Sequence, residues 1–438
     1  MELIIQRYTV KESTMTTLPS ISKILKGTKE MGSKESISKR FADTEILIST
    51  VLACPITGRS GATNSTSSST SAPKHGDLDA QETALHWTPT KTRIDDPRAM
   101  IAIARVNWLH DKYPIKNEDH LYTLSLAMFE PERWAKKYGW RELSALECHA
   151  FFVFWAEIGR RMGIKDIPET AEEFKEWSLN YQQSSMIPSQ SNYDVANITL
   201  EEFISILPNR FGIRSFAKRI AISLLEDRLD PFTDQTTFCY VRYDPQPQYI
   251  QTLIESFLRF IHFIQLYLCL PRSSPTGPVD SKLPNFAFAH AFASGKCPYN
   301  QGSGGGCTDD ESSLIHAHSH SPEFMELGGK EHVDVLSNPS TKLEEDMTHL
   351  ETRMHPNSYQ RRPWYRKEGQ GLFGKLGDRM NVWIGIWAQA PGRELRSGGY
   401  KLEEMGPLKY ENEGHEDVIR EAERLLGAPI TGPWKAYY

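Results

Sequence analysis

The stretch DPRAMIAIARVNWLH, residues 96–110, is typical of a fully buried helix and decides the fold class. Asp96 followed by Pro97 places an N-cap ahead of a proline at the first helical position. Apolar side chains then occupy nearly every side of the predicted helix, which runs until Pro114. Because a helix that is apolar all round lies inside a protein core, the sequence predicts an all-α domain built around this segment.

Further helix signals follow along the chain, over a predicted helical core at 95–272. Asn117 precedes two acidic residues that suit the positive end of a helix, so a second helix is predicted to begin there. Three Ser/Thr–Glu pairs at the spacing of a capping box predict further helix starts. The pairs are Ser144 with Glu147, Thr170 with Glu173 and Thr199 with Glu202. Strand signals are few, and the best of them is TTFCYVRY at 236–243.

Shifts in composition predict one helical domain interrupted by two flexible insertions. The insertions are rich in Ser, Thr and Gly and lack apolar periodicity, which is typical of unstructured segments. The C-terminal segment is rich in Trp and Tyr but too rich in loops to fold alone, so it is predicted to pack on the helices. The predicted parts are a polar N-terminal segment at 1–35, the start of the domain at 36–56, a low-complexity insertion at 57–94, the helical core at 95–272, a flexible insertion at 273–345 and a C-terminal segment completing the domain at 346–438.

The charge balance excludes a uniformly basic nucleic-acid binder, because 50 Lys and Arg stand against 56 Asp and Glu, for a formal net charge of -6. Six scattered cysteines in 438 residues do not form a disulfide scaffold. The chain also lacks the loops and motifs of nucleotide-binding proteins, zinc proteases and serine hydrolases.

No membrane-spanning segment and no secretory signal are predicted. The longest apolar stretch, 256–272, is interrupted by Arg259, His262 and Gln265. Such a stretch is most often a core helix, and the alternatives are that it lies on a membrane or lines a pocket.

Arg105 and His110 are the first candidates for chemistry, because the predicted helix buries both and buried polar groups need partners. The structural interpretation is an arginine bonded to a carboxylate and a satisfied core histidine. Glu157 either pairs with the arginines three and four residues later or reaches Arg105. Thr123 lies on the next helix, where its hydroxyl can bond back to a helix carbonyl.

A second candidate is a stretch of thiols and imidazoles at 297–320, since both are zinc ligands. Its members are Cys297, Cys307, His316, His318 and His320. The spacing is wider than in structural zinc sites, which favours adventitious metal binding over a specific metal centre.

Three segments of the helical core carry a resemblance to a known family: ARVNWLHDKY (104–113), NEDHLYTLSLAMFEPERWAKKYGWRELSALE (117–147) and FWAEIGRRMGI (154–164). They resemble the fungal ER-bound oxygenases of the MpaB type, which share a catalytic domain with the bacterial latex clearing proteins. Further similar segments are RFADTEILIST (40–50), YLCLPR (267–272), MHPNSYQRRPWY (354–365), GGYKLEEMGPLKYENEGHEDV (398–418) and GPW (432–434).

The resemblance implies a globin-like helical bundle with haem b as cofactor. The latex clearing proteins cleave carbon–carbon double bonds of polyisoprene with dioxygen, and the fungal enzymes cleave a double bond of a farnesyl side chain. The implied partners are therefore dioxygen and an apolar, prenylated small molecule, with no nucleic acid. An apolar helical interior suits such a chain.

The resemblance also implies site residues. Arg105 and His110 stand where the relatives carry an arginine and a further functional side chain. His110 is the predicted axial iron ligand, and Arg105 is predicted to pair a haem propionate or steady an iron-bound oxygen species. The relatives place a haem-ligating histidine on the next helix, where this chain has Thr123, a predicted cofactor contact. His120, one turn earlier, is expected to be exposed.

The leading prediction is a haem-dependent oxygenase that cleaves or oxidises a carbon–carbon double bond of an isoprenoid, prenylated or lipid-like metabolite. The alternatives are a non-catalytic binding protein for an apolar small molecule and a metal-centred activity at 297–320. The resemblance implies association with the endoplasmic reticulum membrane. Residues 1–35 offer no anchor helix, so peripheral membrane contact through 256–272 and a cytoplasmic protein remain open.

Overall fold

The computed structural model describes residues 18–56, 96–139, 141–185, 187, 189–226, 247–269, 277–280, 353–357, 360–430 and 434. The chain divides into two compact units, of which one comprises 1–65, 96–282 and 353–438. The second unit, 66–95 and 283–352, lies outside the described residues, as do the strand signal at 236–243 and the Cys/His stretch at 297–320.

Eleven helices form the described part of the chain, with three short 3-10 turns near its end. The helices are α1 Pro19–Gly27, α2 Lys34–Ala53, α3 Arg98–His110, α4 Asn117–Tyr138, α5 Ala145–Arg161, α6 Ala171–Ser185, α7 Gln190–Ile204, α8 Ile213–Glu226, α9 Gln248–Tyr267, α10 Gly371–Trp383 and α11 His415–Leu426. The described residues contain no β-strand, only an isolated antiparallel bridge between Met354 and Tyr400. The predicted all-α class is confirmed, and the globin-like arrangement stays a prediction.

The predicted buried helix is α3, and its burial is confirmed for Arg98 to Arg105, whereas residues 106–110 are half-buried. Ala99 to Ala104 are each at most 2% exposed. Helices α2 and α11 pack against it, as does the 3-10 turn Leu402–Glu404. The central core of the unit is therefore assembled around α3 from segments distant in the sequence.

The aromatic C-terminal segment completes this core, as predicted. Trp364, Tyr365 and Tyr400 are buried against α2 and α3, and Val418 and Ala422 of α11 join the same cluster. Trp383 of α10 differs, since 66% of it is exposed.

Capping explains where two further helices begin. Ser144 accepts a hydrogen bond from the Glu147 amide, and the Glu147 carboxylate accepts one from the Ser144 amide, which is the predicted capping box of α5. Thr170 likewise accepts from the Glu173 amide ahead of α6. The prediction of a helix start at Thr199 is wrong, because α7 begins at Gln190 after the N-cap Ser189 and contains Thr199 in its interior.

The expectation that 256–272 forms a core helix is also wrong. Helix α9 packs one side against α8 and α4. Its other side carries a stripe of large apolar side chains that are at least 51% exposed: Tyr249, Leu253, Phe257, Phe260, Phe263 and Tyr267. None of the described helices is long and apolar enough to cross a membrane.

Candidate functional site

The candidate site lies where α3 ends and α4 begins. His110 is the last residue of α3, and the short link 111–116 turns the chain back through a hydrogen bond from the Tyr113 amide to the His110 carbonyl. This turn brings His120, in the first turn of α4, beside His110. The two imidazole centroids are 5.2 Å apart, with the rings tilted by 41°.

The His110 imidazole carries an unused ligand atom. Its Nδ1 is buried and has no hydrogen-bond partner among the described residues. Burial, reinforced by the charges of His120 and Arg40, lowers the pKa of His110 from 6.5 to about 3. The ring is therefore neutral near pH 7, which is the form that binds a metal ion.

His120 is half-buried against His110, so the expectation that it is exposed is wrong. Burial lowers its pKa, while the carboxylates of Asp119 and Asp111 act in the opposite direction. Asp119 fixes the first turn of α4, because Ser20 of α1 and Tyr181 of α6 donate hydrogen bonds to it. The position of His120 is thus set by three helices.

Arg40 of α2 supplies a positive charge on the same site. Its charge acts on His110, and its own pKa is lowered by burial, against the raising effect of Tyr113, Glu30 and Asp43. Arg40 begins the segment 40–50 that resembles the relatives, but the sequence did not mark it as a site residue, since tertiary packing brings α2 to the end of α3. The charge of Arg40 therefore adds to the burial that keeps His110 neutral.

Arg105 holds the C-terminal segment to α3. The side chain is completely buried. Its Nε donates to the Met405 carbonyl at 2.6 Å, Nη1 to Glu413 at 2.8 Å and Nη2 to Tyr410 at 2.7 Å. Burial lowers its pKa to about 10, so it stays charged near neutral pH. The guanidinium is therefore committed to main-chain carbonyls.

The predicted partner of Arg105 was a carboxylate, and the structure corrects this interpretation. Glu157 forms ion pairs with Arg160 at 3.4 Å and Arg161 at 2.7 Å, so its pairing is local. Arg105 uses carbonyls instead, because the segment around 405–413 contains no α-helix, only the 3-10 turn Leu408–Tyr410, and so leaves main-chain acceptors available. The local pairing of Glu157 is therefore confirmed.

Thr123 is exposed on α4. Its hydroxyl donates to the Asp119 carbonyl at 2.9 Å, which is the back-bond that its place in a helix allows. Thr123 follows His120 by three residues and so lies on a neighbouring part of the helix surface. The structure thus brings His110 together with His120, with the charge of Arg40 acting on His110, and leaves Thr123 exposed one turn along α4 from His120.

The histidine pair limits how a metal or haem can be held. The described residues contain no group of three or more His, Cys, Asp or Glu side chains placed to hold a metal ion. The two rings contact each other, so no porphyrin fits between them, and they cannot ligate opposite faces of one haem. The Nδ1 of His110, a neutral imidazole nitrogen with no hydrogen-bond partner among the described residues, has the chemistry of an iron ligand.

Comparison with curated proteins found similar chains named as ER-bound oxygenases. Over 228 residues the chain is 26% identical to "ER-bound oxygenase mpaB'" of Penicillium brevicompactum, which covers 48% of this chain and 44% of the relative. It is 28% identical over 204 residues to "ER-bound oxygenase mpaB" of the same species, covering 43% and 42%. A third relative, "ER-bound oxygenase mpaB" of Penicillium roqueforti (strain FM164), is 25% identical over 228 residues, covering 48% and 63%.

This similarity confirms the predicted resemblance to oxygenases of the MpaB type. The matched region covers about half of this chain and less than two thirds of each relative. No protein-family model and no solved structure matches the chain.

Proposed function

We propose that the chain is a haem-dependent oxygenase that uses dioxygen to cleave or oxidise a carbon–carbon double bond in an isoprenoid, prenylated or lipid-like molecule. One observation carries the proposal: a neutral imidazole, whose Nδ1 is buried and has no hydrogen-bond partner among the described residues, lies at the end of the helix that resembles the oxygenases. The general oxygenase activity is supported by the names of the similar proteins. Haem as the cofactor and the isoprenoid or lipid-like class of substrate are inferred in addition to that activity.

His110 would hold the iron through Nδ1. When bound, haem b would supply the activation of dioxygen. The imidazole is poised for this role because it stays neutral well below pH 7 and forms no competing hydrogen bond among the described residues.

The neighbouring side chains would orient the cofactor. Arg40 supplies a positive charge beside His110 that complements the carboxylates at the edge of a haem. Arg105 is a positioning residue, since its three hydrogen bonds fix α3 against the segment 405–413. Thr123 is proposed as a contact at the edge of the site.

The substrate is proposed to be apolar because the core that packs around α3 is mainly apolar. The core around α3 is built mainly from aliphatic and aromatic side chains. Such walls favour a hydrocarbon chain and exclude water from the reacting bond.

The first test is an absorption spectrum of the full chain expressed with a haem precursor. We expect a Soret band that the variant His110→Ala loses, because the variant lacks the axial nitrogen. His149→Ala removes an exposed histidine of α5 and serves as the matched control, which retains the band. Unchanged haem content in His110→Ala would refute the ligand assignment.

Dioxygen uptake then distinguishes the enzyme from a non-catalytic binding protein. The haem-loaded chain is mixed with a farnesylated aromatic compound in an oxygen electrode. Substrate-dependent uptake supports the oxygenase. Binding of the compound without uptake would instead show a carrier of apolar molecules.

We further propose that the protein acts at the endoplasmic reticulum membrane, since the similar proteins are named ER-bound. Fractionation of cells that express the full chain tests this localisation. Co-purification with microsomal markers supports it, and recovery in the soluble fraction alone contradicts it.

A further inference from the structure

Exposed apolar side chains are concentrated on α9, on α10 and at the start of α8. Of the 21 large apolar residues exposed in the described part of the chain, 16 lie at 211–216, 249–268 and 372–383. These segments belong to the start of α8, to α9 and to α10. Single exposed apolar residues are normal on protein surfaces, but a concentration of this kind marks an interaction surface.

Helix α10 has the pattern of a helix that lies on a surface. None of its residues is buried. Leu372, Leu376, Met380 and Trp383 recur at helical spacing on one side and are between 51% and 81% exposed. Phe373 beside them is 87% exposed. The helix therefore presents a continuous apolar face that the described protein leaves uncovered.

The start of α8 adds to this face. The Arg210 guanidinium donates to the Trp383 carbonyl at 3.1 Å and stacks on the Trp383 ring, which fixes the end of α10 against α8. Phe211 next to Arg210 is 97% exposed, and Phe216 is 50% exposed. The end of α10 is thus joined to α8 through this contact and through the Arg214 guanidinium, which donates to the Gly385 carbonyl.

The charges around this surface are positive on balance, although Asp378 also lies on α10 and the whole chain carries -6. Residues 203–225 contain four Lys and Arg and no Asp or Glu. On α10, Lys375 and Arg379 follow Leu372 and Leu376 by three residues each, so they lie beside the apolar face. Aromatic and leucine side chains flanked by cations are the composition of helices that lie in the interface of an anionic membrane.

We propose that the face formed by α10 and the start of α8 binds the interface of an anionic phospholipid membrane. The apolar side chains of α10 enter the boundary between headgroups and acyl chains, and Arg210, Lys375 and Arg379 contact the lipid phosphates. The stripe on α9 carries one Glu and one Arg, so its charges do not favour an anionic surface. The proposal rests on the exposed residues alone and is independent of the haem.

Sedimentation of the full chain with lipid vesicles tests the proposal. Vesicles of phosphatidylcholine alone are compared with vesicles that also contain phosphatidylserine. We expect binding to the anionic vesicles that weakens as salt is added, because the cations are exposed. The variant Leu372→Glu is expected to weaken this binding at least tenfold, since it places a carboxylate in the apolar face.

Leu146→Glu is the matched control, because Leu146 is 77% exposed on α5, away from this face, against 81% for Leu372. It should bind vesicles as the unchanged protein does, and circular dichroism should show both variants folded. Equal loss in both variants, or no preference for anionic vesicles, would overturn the proposal. A dimer that Leu372→Glu dissociates, without vesicle binding, would show instead that a second copy covers this face.

Discussion

The imidazole of His110 is neutral in the folded protein, and this makes the free energy of unfolding depend on pH. Its pKa is about 3 in the folded chain and about 6.5 when unfolded. Below pH 6.5 the unfolded chain binds a proton that the folded chain does not. The free energy of unfolding therefore falls as the pH is lowered from 6.5 towards 3, by at most about 1.4 kcal/mol per pH unit for this one group.

Urea denaturation of the haem-free protein between pH 7 and pH 5 measures this slope. His110→Gln removes the titrating group and is expected to flatten the slope. The pKa of His120 is also lowered, so part of the slope remains in that variant. His149→Gln, at an exposed position, should leave the slope unchanged. An identical slope in all three proteins would contradict the burial of His110.

For the individual candidate residues, the sequence predicted which side chains are buried better than it predicted their hydrogen-bond partners. The apolar surroundings of Arg105 and His110 in the printed sequence were sufficient to place both on a buried helix. The partners of Arg105 are carbonyls about 300 residues away, which no local pattern encodes. For the same reason Arg40 was missed and His120 was expected to be exposed, since the site forms only when α2, α3 and α4 pack together.

At the scale of the element, α4 and α5 approach so closely that one position excludes a side chain. A Cβ at Gly159 would lie 2.5 Å from Leu124 Cδ2 and 2.9 Å from Ile167 Cδ1. Gly159→Ala is therefore expected to lower the free energy of unfolding by about 1–3 kcal/mol through overpacking, although alanine favours helices.

Gly377→Ala is the matched control on α10. A Cβ there meets no atom within 4 Å, so the substitution should raise the free energy of unfolding by about 0.5–1 kcal/mol through helix propensity. Urea denaturation of both variants measures the two effects. Opposite signs are expected, and stabilisation by both substitutions would mean that α4 and α5 are farther apart.

Helix starts followed from the sequence where a cap precedes an apolar run, as at Ser144 and Thr170. The prediction of a helix start at Thr199 was wrong because the same Thr–Glu spacing also occurs inside a helix, where both residues lie on one face. The prediction that 256–272 forms a core helix was wrong for a different reason. Apolar periodicity shows that a helix has an apolar face, but it does not show whether the protein itself covers that face.

At the scale of the whole molecule, a buried polar network joins α2 to the C-terminal segment. Lys39 Nζ donates to Asp43 Oδ2 at 2.9 Å and to the Gly406 carbonyl at 2.6 Å, and the Tyr365 hydroxyl donates to Asp43 Oδ1 at 2.5 Å. The Gly406 amide also donates to Asp43. Segments more than 300 residues apart are thus held by one carboxylate.

Asp43→Ala is expected to lower the free energy of unfolding by about 3–5 kcal/mol, because it leaves the Lys39 charge buried without its carboxylate. Asp194→Ala removes the partner of Lys26, whose side chain is 60% exposed, and should cost less than about 1 kcal/mol. Thermal and urea denaturation compare the two variants. Equal costs would show that the network does not hold the C-terminal segment.

The predicted insertions leave and re-enter the core at neighbouring places. The charges of Asp96 and Arg98 act on the Cys54 thiol, so the end of α2 lies near the start of α3 on either side of the first insertion. On either side of the second, the Asn357 amide donates to the Pro278 carbonyl at 3.0 Å. Short linkers are therefore long enough to connect the described residues on either side of each segment.

We expect a chain in which Gly–Ser linkers replace 60–92 and 283–350 to fold as stably as the full protein. Loop-closure entropy changes only slowly with loop length, so shortening the connections alters stability little. Urea denaturation and the Soret band of the haem-loaded protein measure folding and the site separately. Deletion of α11, which buries Val418 and Ala422 in the central core, is the contrasting variant and should prevent folding. A loss of several kcal/mol in the shortened chain would mean that the replaced segments belong to the folded unit, and that one helical domain does not account for the protein's stability.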